Sequence, residues 1–401
     1  MGYVLKAVLS SAQHPEYGQI TVPFPIPDEK YDRMIELLEP LEIGDALRQD
    51  CRVDELDSFY TVLNRLVGSL VNFDELDYLA KRLDSFDDGE AAQFQGMACK
   101  LGVSNIKDFI NLTFCCQQAT VITDFSDLDA IGRQHYMTMQ GGACRIEELK
   151  RLDGRKFALD LILNHTEGRI TPYGVVYDNG MKLEQLYAGR HFPCYHYQPN
   201  LLAVGLSSRQ EPENTDQITW LLLPCSEQQL RRGIARSGVD IHNACIWYED
   251  SMLPPEVEEV LEGQQEDLFA LNDMAAAIAA LSDLEQKKLA AVMEMAKPEC
   301  AGEIRKLAEN LELFEFAPKV RTPAEYGRYM IQDSGHYEYD PNLDEFYDYA
   351  RYGKLRMEQE AGAFTERGYI AYRGTLPLKE LMASDPAEQH QREQKFQMGG
   401  M

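Results

Sequence analysis

The chain has 401 residues, 44% of them hydrophobic and 10% aromatic, which is enough for two or three globular domains with real cores. Its 66 acidic residues against 39 basic ones give a formal charge of −27 at pH 7. That charge repels the phosphates of duplex nucleic acid and of anionic membranes, so neither is a direct ligand, and it favours partners that themselves bind phosphate. Nine cysteines without a CxxC pair fit a reduced compartment better than a disulfide scaffold. No stretch approaches the roughly 20 apolar residues of a membrane span, and the start MGYVLKAVLSS is neither a secretory leader nor a myristoylation signal. The expected location is cytoplasmic.

In chain order, YVLKAVLSS and QITVPFPI read as two short strands parted by a polar turn. Residues 73–86 read as a helix with Phe73, Leu76, Leu79, Leu83 and Phe86 on one stripe and Asp74, Glu75, Asp77, Asp84 and Asp87 away from it. Asp87 with Glu90 forms a capping box, and residues 126–129 hold the same kind of start signal. A helix-and-strand segment follows over Ile146–Val176. NLLAVGLSS and QITWLLLP then read as strands again. Ser282 with Glu285, and Thr322 with Glu325 behind Pro323, are further helix starts, and Leu343–Ile370 is a second helix-and-strand segment.

The chain is thus written twice. LSSAQHPE from Leu9 recurs as LSSRQEPE from Leu206, and QIT at Gln19 recurs at Gln217. Leu76, Ala80 and Leu83 fall on Leu271, Ala275 and Ile278, and Gly132-Arg133 falls on Gly327-Arg328. Thr171, Gly174 and Gly180 meet Thr365, Gly368 and Gly374. A register held from near the first residue to near the last indicates two complete copies, 1–198 and 199–384, far longer than solenoid units. The fold class expected is α+β, elongated, each copy built of several small subdomains of short antiparallel sheets plus helices. Within the second copy the expected divisions are a strand domain over 199–250, a helical domain over 251–320 and an acidic domain over 321–384. The tail 385–401 is polar and non-periodic and reads as disordered.

The acidic excess is uneven. Residues 1–140 hold 23 acids and 11 bases, and residues 201–350 hold 29 and 12, whereas 141–200 and 351–401 each hold 7 acids and 8 bases. The run GHYEYDPNLDEFYDYARYG interleaves its carboxylates with aromatics, so it has the mass to fold where acidic runs usually stay disordered. Carboxylates three or four apart on a helix lie about 5–6 Å apart at Cβ, close to the spacing of successive phosphates on a strand. Like charges so placed cost stability, so a surface that repeats them implies a use. Such an ordered array suits the positive groove of a DNA-binding protein, favoured by the counterion release that drives phosphate binding.

Catalytic signatures are missing: there is no Walker loop, GxGxxG, HExxH, GxSxG or kinase motif, and no enzyme activity or cofactor is expected. His191, Cys194 and His196 put three soft ligands within six residues, but a zinc site needs a fourth from elsewhere, and the second copy has no equivalent. Packing of an aromatic segment is the better reading. Cys115-Cys116 reads as buried small apolar residues, and the tyrosines of 337–352 as packing for the helices that carry the acids.

The runs FDELDYLAKRLDSFDDGE and IKDFINLTF, and the block TPAEYGRYMIQDSGHYEYDPNLDEFYDYARYG followed by GAFTERGYIAY, resemble the ArdA-type antirestriction proteins. The resemblance covers most of the second copy and the first 140 residues of the first, and fades over 141–200. It implies a non-enzymatic DNA mimic carried by mobile genetic elements and acting in the cytoplasm of a bacterial host. Such proteins occupy the DNA-binding groove of the specificity and methyltransferase subunits of Type I restriction-modification enzymes and block restriction, modification or both; the expected partner is such an enzyme or another DNA-reading defence protein. On this reading the phosphate-like carboxylates are Asp74, Glu75, Asp77, Asp84, Asp87, Asp88 and Glu90; Asp124, Asp127 and Asp129; Glu256, Glu258, Glu259, Glu262, Glu266 and Asp267; and Asp333, Glu338, Asp340, Asp344, Glu345 and Asp348. The family unit is one copy and here there are two, so the chain is expected to act as a pseudo-dimer in itself or to dimerise further. An acidic scaffold or chaperone for a basic DNA-binding or nucleoid protein is the alternative that the charge alone leaves open.

Overall fold

The computed structural model describes residues 2–164, 168–178, 180–209, 217–241, 244–262, 264 and 266–383; the tail expected to be disordered lies outside them. The chain folds into two compact units. The first gathers the residues up to Gln198 and, from further along the chain, Ser226–Asp240; the second gathers most of the rest.

In the first unit, β1 (Leu5–Ser11), β2 (Gln19–Phe24), β3 (Cys51–Ser58) and β4 (Leu70–Val71) form an antiparallel sheet of order β2-β1-β3-β4, with α1 (Asp28–Leu38) between β2 and β3. Leu5, Ala7 and Leu9 alternate inward along β1, and they share one core with Phe73 and Leu76 of α2 (Phe73–Asp84), Phe94 of α3 (Asp88–Leu101) and Phe109 of α4 (Ile106–Leu112). Capping boxes start α2 at Asn72 and Glu75 and α3 at Asp87 and Glu90. The unit closes with β5 (Ala119–Ile122), α5 (Leu128–Met139), α6 (Ile146–Arg151), α7 (Gly154–Asn164), β6 (Arg169–Thr171) and β7 (Gly174–Asp178), in a second sheet of order β5-β7-β6.

A similar sequence of elements recurs among the described residues, with the helix Pro255–Leu261 where the first sheet has β4. β8 (Leu202–Ser208), β9 (Thr219–Leu223) and β10 (Ala244–Ser251) form a sheet with the first strand again central, and α8 (Glu227–Ser237) stands where α1 stood. Four helices follow, α9 (Pro255–Leu261), α10 (Leu268–Ala279), α11 (Asp283–Ala296) and α12 (Ala301–Glu309). Then come β11 (Phe314–Pro318), α13 (Pro323–Arg328), a π-helical turn over Tyr329–Asp333, a 3-10 turn over Pro341–Phe346, α14 (Tyr349–Glu360), β12 (Ala363–Phe364), β13 (Gly368–Tyr372) and α15 (Leu378–Met382). The last sheet has the order β11-β13-β12, matching β5-β7-β6. Short antiparallel sheets between helices make the fold α+β.

Two backbone devices explain why particular residues are written twice. A Cβ on Gly132 of α5 would lie 1.7 Å from the carbonyl oxygen of Gly154 in α7, and one on Gly327 of α13 would lie 2.1 Å from that of Tyr349 in α14. Each closing helix pair therefore crosses backbone to backbone, and only glycine fits. In the turn before the last long strand, Thr171 Oγ1 donates to Gly174 O at 2.8 Å, and Thr365 Oγ1 to Gly368 O at 2.7 Å. Gly174 and Gly368 have φ of 127° and 150°, a region closed to residues with a Cβ.

Candidate partner-binding surface

The run 333–348 is ordered by its tyrosines. Asp344 Oδ1 accepts from Gln332 Nε2 and Tyr339 OH, both at 2.8 Å, and from Tyr349 OH. These hydrogen bonds hold the Asp344 carboxyl below its ordinary range, Tyr349 contributing most. Tyr347 lies between Tyr339 and Tyr349 with ring centroids 6.0 and 5.7 Å away, and Tyr337 meets Tyr352 edge-on with their hydroxyls 2.9 Å apart. The Arg328 guanidinium stands 5.2 Å from the Tyr349 ring centroid. Around this mesh Asp333, Glu338, Asp340, Glu345 and Asp348 are exposed. Asp340 caps the 3-10 turn through Asn342 N, and Asp348 caps α14 through Arg351 N, so each is held in place. Phe346 is the most exposed of these aromatics, 82% against 50% for Tyr337.

In the second unit Val257 and Leu261 bury one face of α9, and Glu258, Glu259 and Glu262 point to solvent. Glu256, on the same short helix, is half-buried and paired with Arg367 Nε at 2.8 Å. Burial raises the pKa of Glu266, and the exposed Asp267 caps α10. In the first unit Asp84, Asp87, Asp88, Asp124, Asp127 and Asp129 are exposed, and Glu90 is half-buried. Most of these already have partners: Asp84 accepts from Tyr197 OH at 2.6 Å, Asp124 from the Ser126 hydroxyl at 2.7 Å, and Asp129 pairs with Arg133 at 2.6 Å. Asp127, rather than Ser126, caps α5. A carboxylate at a helix N-terminus keeps its charge, but the helix dipole partly compensates it.

Three expected members of the array do not belong to it. Asp74, Glu75 and Asp77 are buried, because α2 is covered on its polar face as well as its apolar one. Asp74 receives Tyr31 OH at 2.6 Å and the guanidinium groups of Arg232 at 2.9 Å and Arg236 at 3.2 Å, both from α8. Burial alone would raise its pKa, but Arg232 and then Arg236 overcome that and hold it below the usual carboxylate range. Glu75 accepts from Tyr187 OH at 2.9 Å and from the amide of Asn72 at 3.1 Å. Asp77 accepts from Ile26 N at 2.7 Å and pairs with Lys81 at 2.9 Å. None of these carboxylates faces a partner.

The 191–197 segment is an aromatic splice onto α2. Phe192 stacks between Tyr78 and Tyr187 at 4.5 and 4.9 Å, and Arg82 is sandwiched 4.3 Å from both Phe114 and Tyr195. His191 Nδ1 lies 2.8 Å from Thr219 Oγ1, and Cys194 Sγ 3.6 Å from His196 Nε2. Among the described residues no three His, Cys, Asp or Glu side chains gather as a metal-holding group, and no helix is long and apolar enough to cross a membrane. Cys115 and Cys116 are buried core residues.

The arginines of α8 were not legible as site residues, since their partner lies some 160 positions away in the chain. The one signal was the unusual Arg-x-x-x-Arg on the inner side of a helix otherwise marked by Leu230 and Ile234. A search of curated proteins finds no match to the chain. Residues 218–371, which take in α8, the helices α9 to α12 and the tyrosine-ordered acidic run, match the family model described as antirestriction protein (ArdA).

Proposed function

We propose that the chain is a tandem pair of ArdA-type repeats that acts without catalysis as a DNA mimic, seating ordered carboxylates in the DNA-binding groove of a Type I restriction-modification enzyme. The observation that carries this reading is the run 333–348. It lies within the family-matched segment, and its exposed acids are fixed on a tyrosine mesh rather than left on a flexible tail. A rigid array loses little conformational entropy on binding, so electrostatic complementarity is retained as affinity. The recurrence of element order, of both sheet orders and of the two glycine devices supports the tandem-repeat part.

The two repeats contribute unequally on this proposal. In the first, Asp74, Glu75 and Asp77 are spent internally, so the mimic surface lies chiefly in the second unit. The test titrates the protein into a Type I enzyme while both methylation and cleavage are followed, at low and moderate salt. Stoichiometric inhibition relieved by salt or excess DNA is expected. Changing Glu338, Asp340, Glu345 and Asp348 together to the corresponding amides keeps the caps and should weaken inhibition by roughly tenfold or more. Full inhibition by that variant would remove the second unit's acidic run from the mechanism. No inhibition by the wild type at large excess would remove this target class.

A further inference from the structure

We propose that the first unit carries a receptor for a two-arginine helix, and that α8 of the same chain is its dedicated occupant. The receptor is built from groups that all accept. Arg232 reaches both oxygens of Asp74, at 3.2 and 3.1 Å from Nε, and also donates to the carbonyls of Gly44 and Asp45. Arg236 donates to Asp74, to the side-chain oxygen of Asn72 and, at 3.1 Å, to the carbonyl of Arg190, while its guanidinium lies 4.4 Å from the Phe192 ring centroid. Both arginines are buried. A buried guanidinium is tolerated only when its hydrogens are paired and a counter-charge is in contact, and both conditions are met here. The start of the helix is fixed as well: Ser226, its cap, donates to Asp32, and Gln229 donates to Asp28 at 3.0 Å, both on α1.

The seat works in one direction, an argument that rests on the tandem-repeat reading. Matching the inward Tyr31 and Ile35 of α1 to Leu230 and Ile234 of α8 puts Arg33 and Leu37 opposite Arg232 and Arg236. Arg33 pairs instead with Glu36 on its own exposed face at 2.7 Å. The position that answers Asp74 in α10 is Phe269. So α8 carries the two inward arginines where α1 has one outward arginine and a leucine, and Asp74 has no carboxylate at the matching position of α10. A head-to-tail contact whose two halves were present in both repeats would propagate between chains; here one chain uses up the single pair.

Hydrogen exchange on the full-length protein tests this. In the wild type, peptides within 226–240 are expected to be protected at every protein concentration. In Asp74→Asn, which keeps the shape but removes the counter-charge, their exchange should speed at least roughly tenfold while peptides of β5, β7 and α5 hold their rates. Arg236→Lys should give the same pattern more weakly and serves if Asp74→Asn fails to fold. Unchanged protection of α8 in both variants would overturn the proposal, as would an equal rise across the whole first unit. Protection in the wild type that fades on dilution would overturn the same-chain occupant. The readout does not involve a restriction enzyme, so it stands or falls apart from the proposed function.

Discussion

Segments 119–178 and 314–372 share a scaffold and differ in almost everything they show to solvent. Both have a three-stranded sheet whose latest strand is central, a pair of helices crossing at glycine, and a threonine-glycine turn. On the first, Ile146 and Leu163 are each 71% exposed and Ile170 is 84% exposed, in a stretch with more bases than acids. On the second, the corresponding surface carries the acidic run and its tyrosine mesh. Backbone contacts admit one residue type and keep repeating it, whereas a solvent-facing position is constrained only by what it meets. The shared backbone contacts therefore identify the scaffold, and the departures between the two segments lie where packing leaves the choice of residue open.

The largest effects should come from breaking the shared scaffold. Gly132→Ala and Gly327→Ala place a methyl group against a backbone carbonyl that cannot swing aside. Each should cost roughly 3 kcal/mol, at the upper end for overpacking, read as a drop in the urea midpoint. Similar losses in the two variants would mean that the crossing does the same work in both segments; a mild loss in one would mean that its helices can separate.

This contrast also explains what the sequence revealed. Caps, glycine pairs and the threonine-glycine turns act over a few residues or recur at a fixed offset, so Asp87 with Glu90, Ser282 with Glu285 and Thr322 with Glu325 could be placed before any coordinates. The fate of Asp74, Glu75 and Asp77 could not. Amphipathic reasoning assumes that the polar side of a helix meets water, but α2 meets Tyr31, Tyr187 and the arginines of α8 there. Those partners are set by tertiary packing over long separations, and nothing local announces them. The acidic run at 333–348 was legible because its aromatics are interleaved with its acids, and the mesh they form is local.

Acid should expose the next difference. Asp74 is held below its ordinary pKa, so its contribution is fully present above the unfolded value near 4 and is lost as pH falls through that region toward the lower folded value. Urea unfolding of the first unit's transition should therefore shift down between pH 7 and pH 3, and by less in Asp74→Asn than in the wild type. An equal shift in the two proteins would assign the acid sensitivity to other carboxylates.

Smaller is the contribution of one strand of the tyrosine mesh. Tyr349 is buried and gives its hydroxyl to Asp344, so Tyr349→Phe should cost about 1 kcal/mol and loosen the run 333–348 in hydrogen exchange. Among the described residues of 119–178 there is no such mesh, and that segment should be indifferent to the change.

The smallest effect belongs to the exposed apolar side chains of the first unit's closing segment. Ile170→Ser and Leu163→Ser remove side chains that meet mostly water, so each should leave the urea midpoint within about 0.5 kcal/mol of wild type. If stability holds, the fold does not demand these apolar side chains, and the composition of 141–200 is set by something other than packing. If either change is costly at high protein concentration and harmless at low, the face is covered in an assembly. The two closing segments would then differ because one is an interface between copies of the chain.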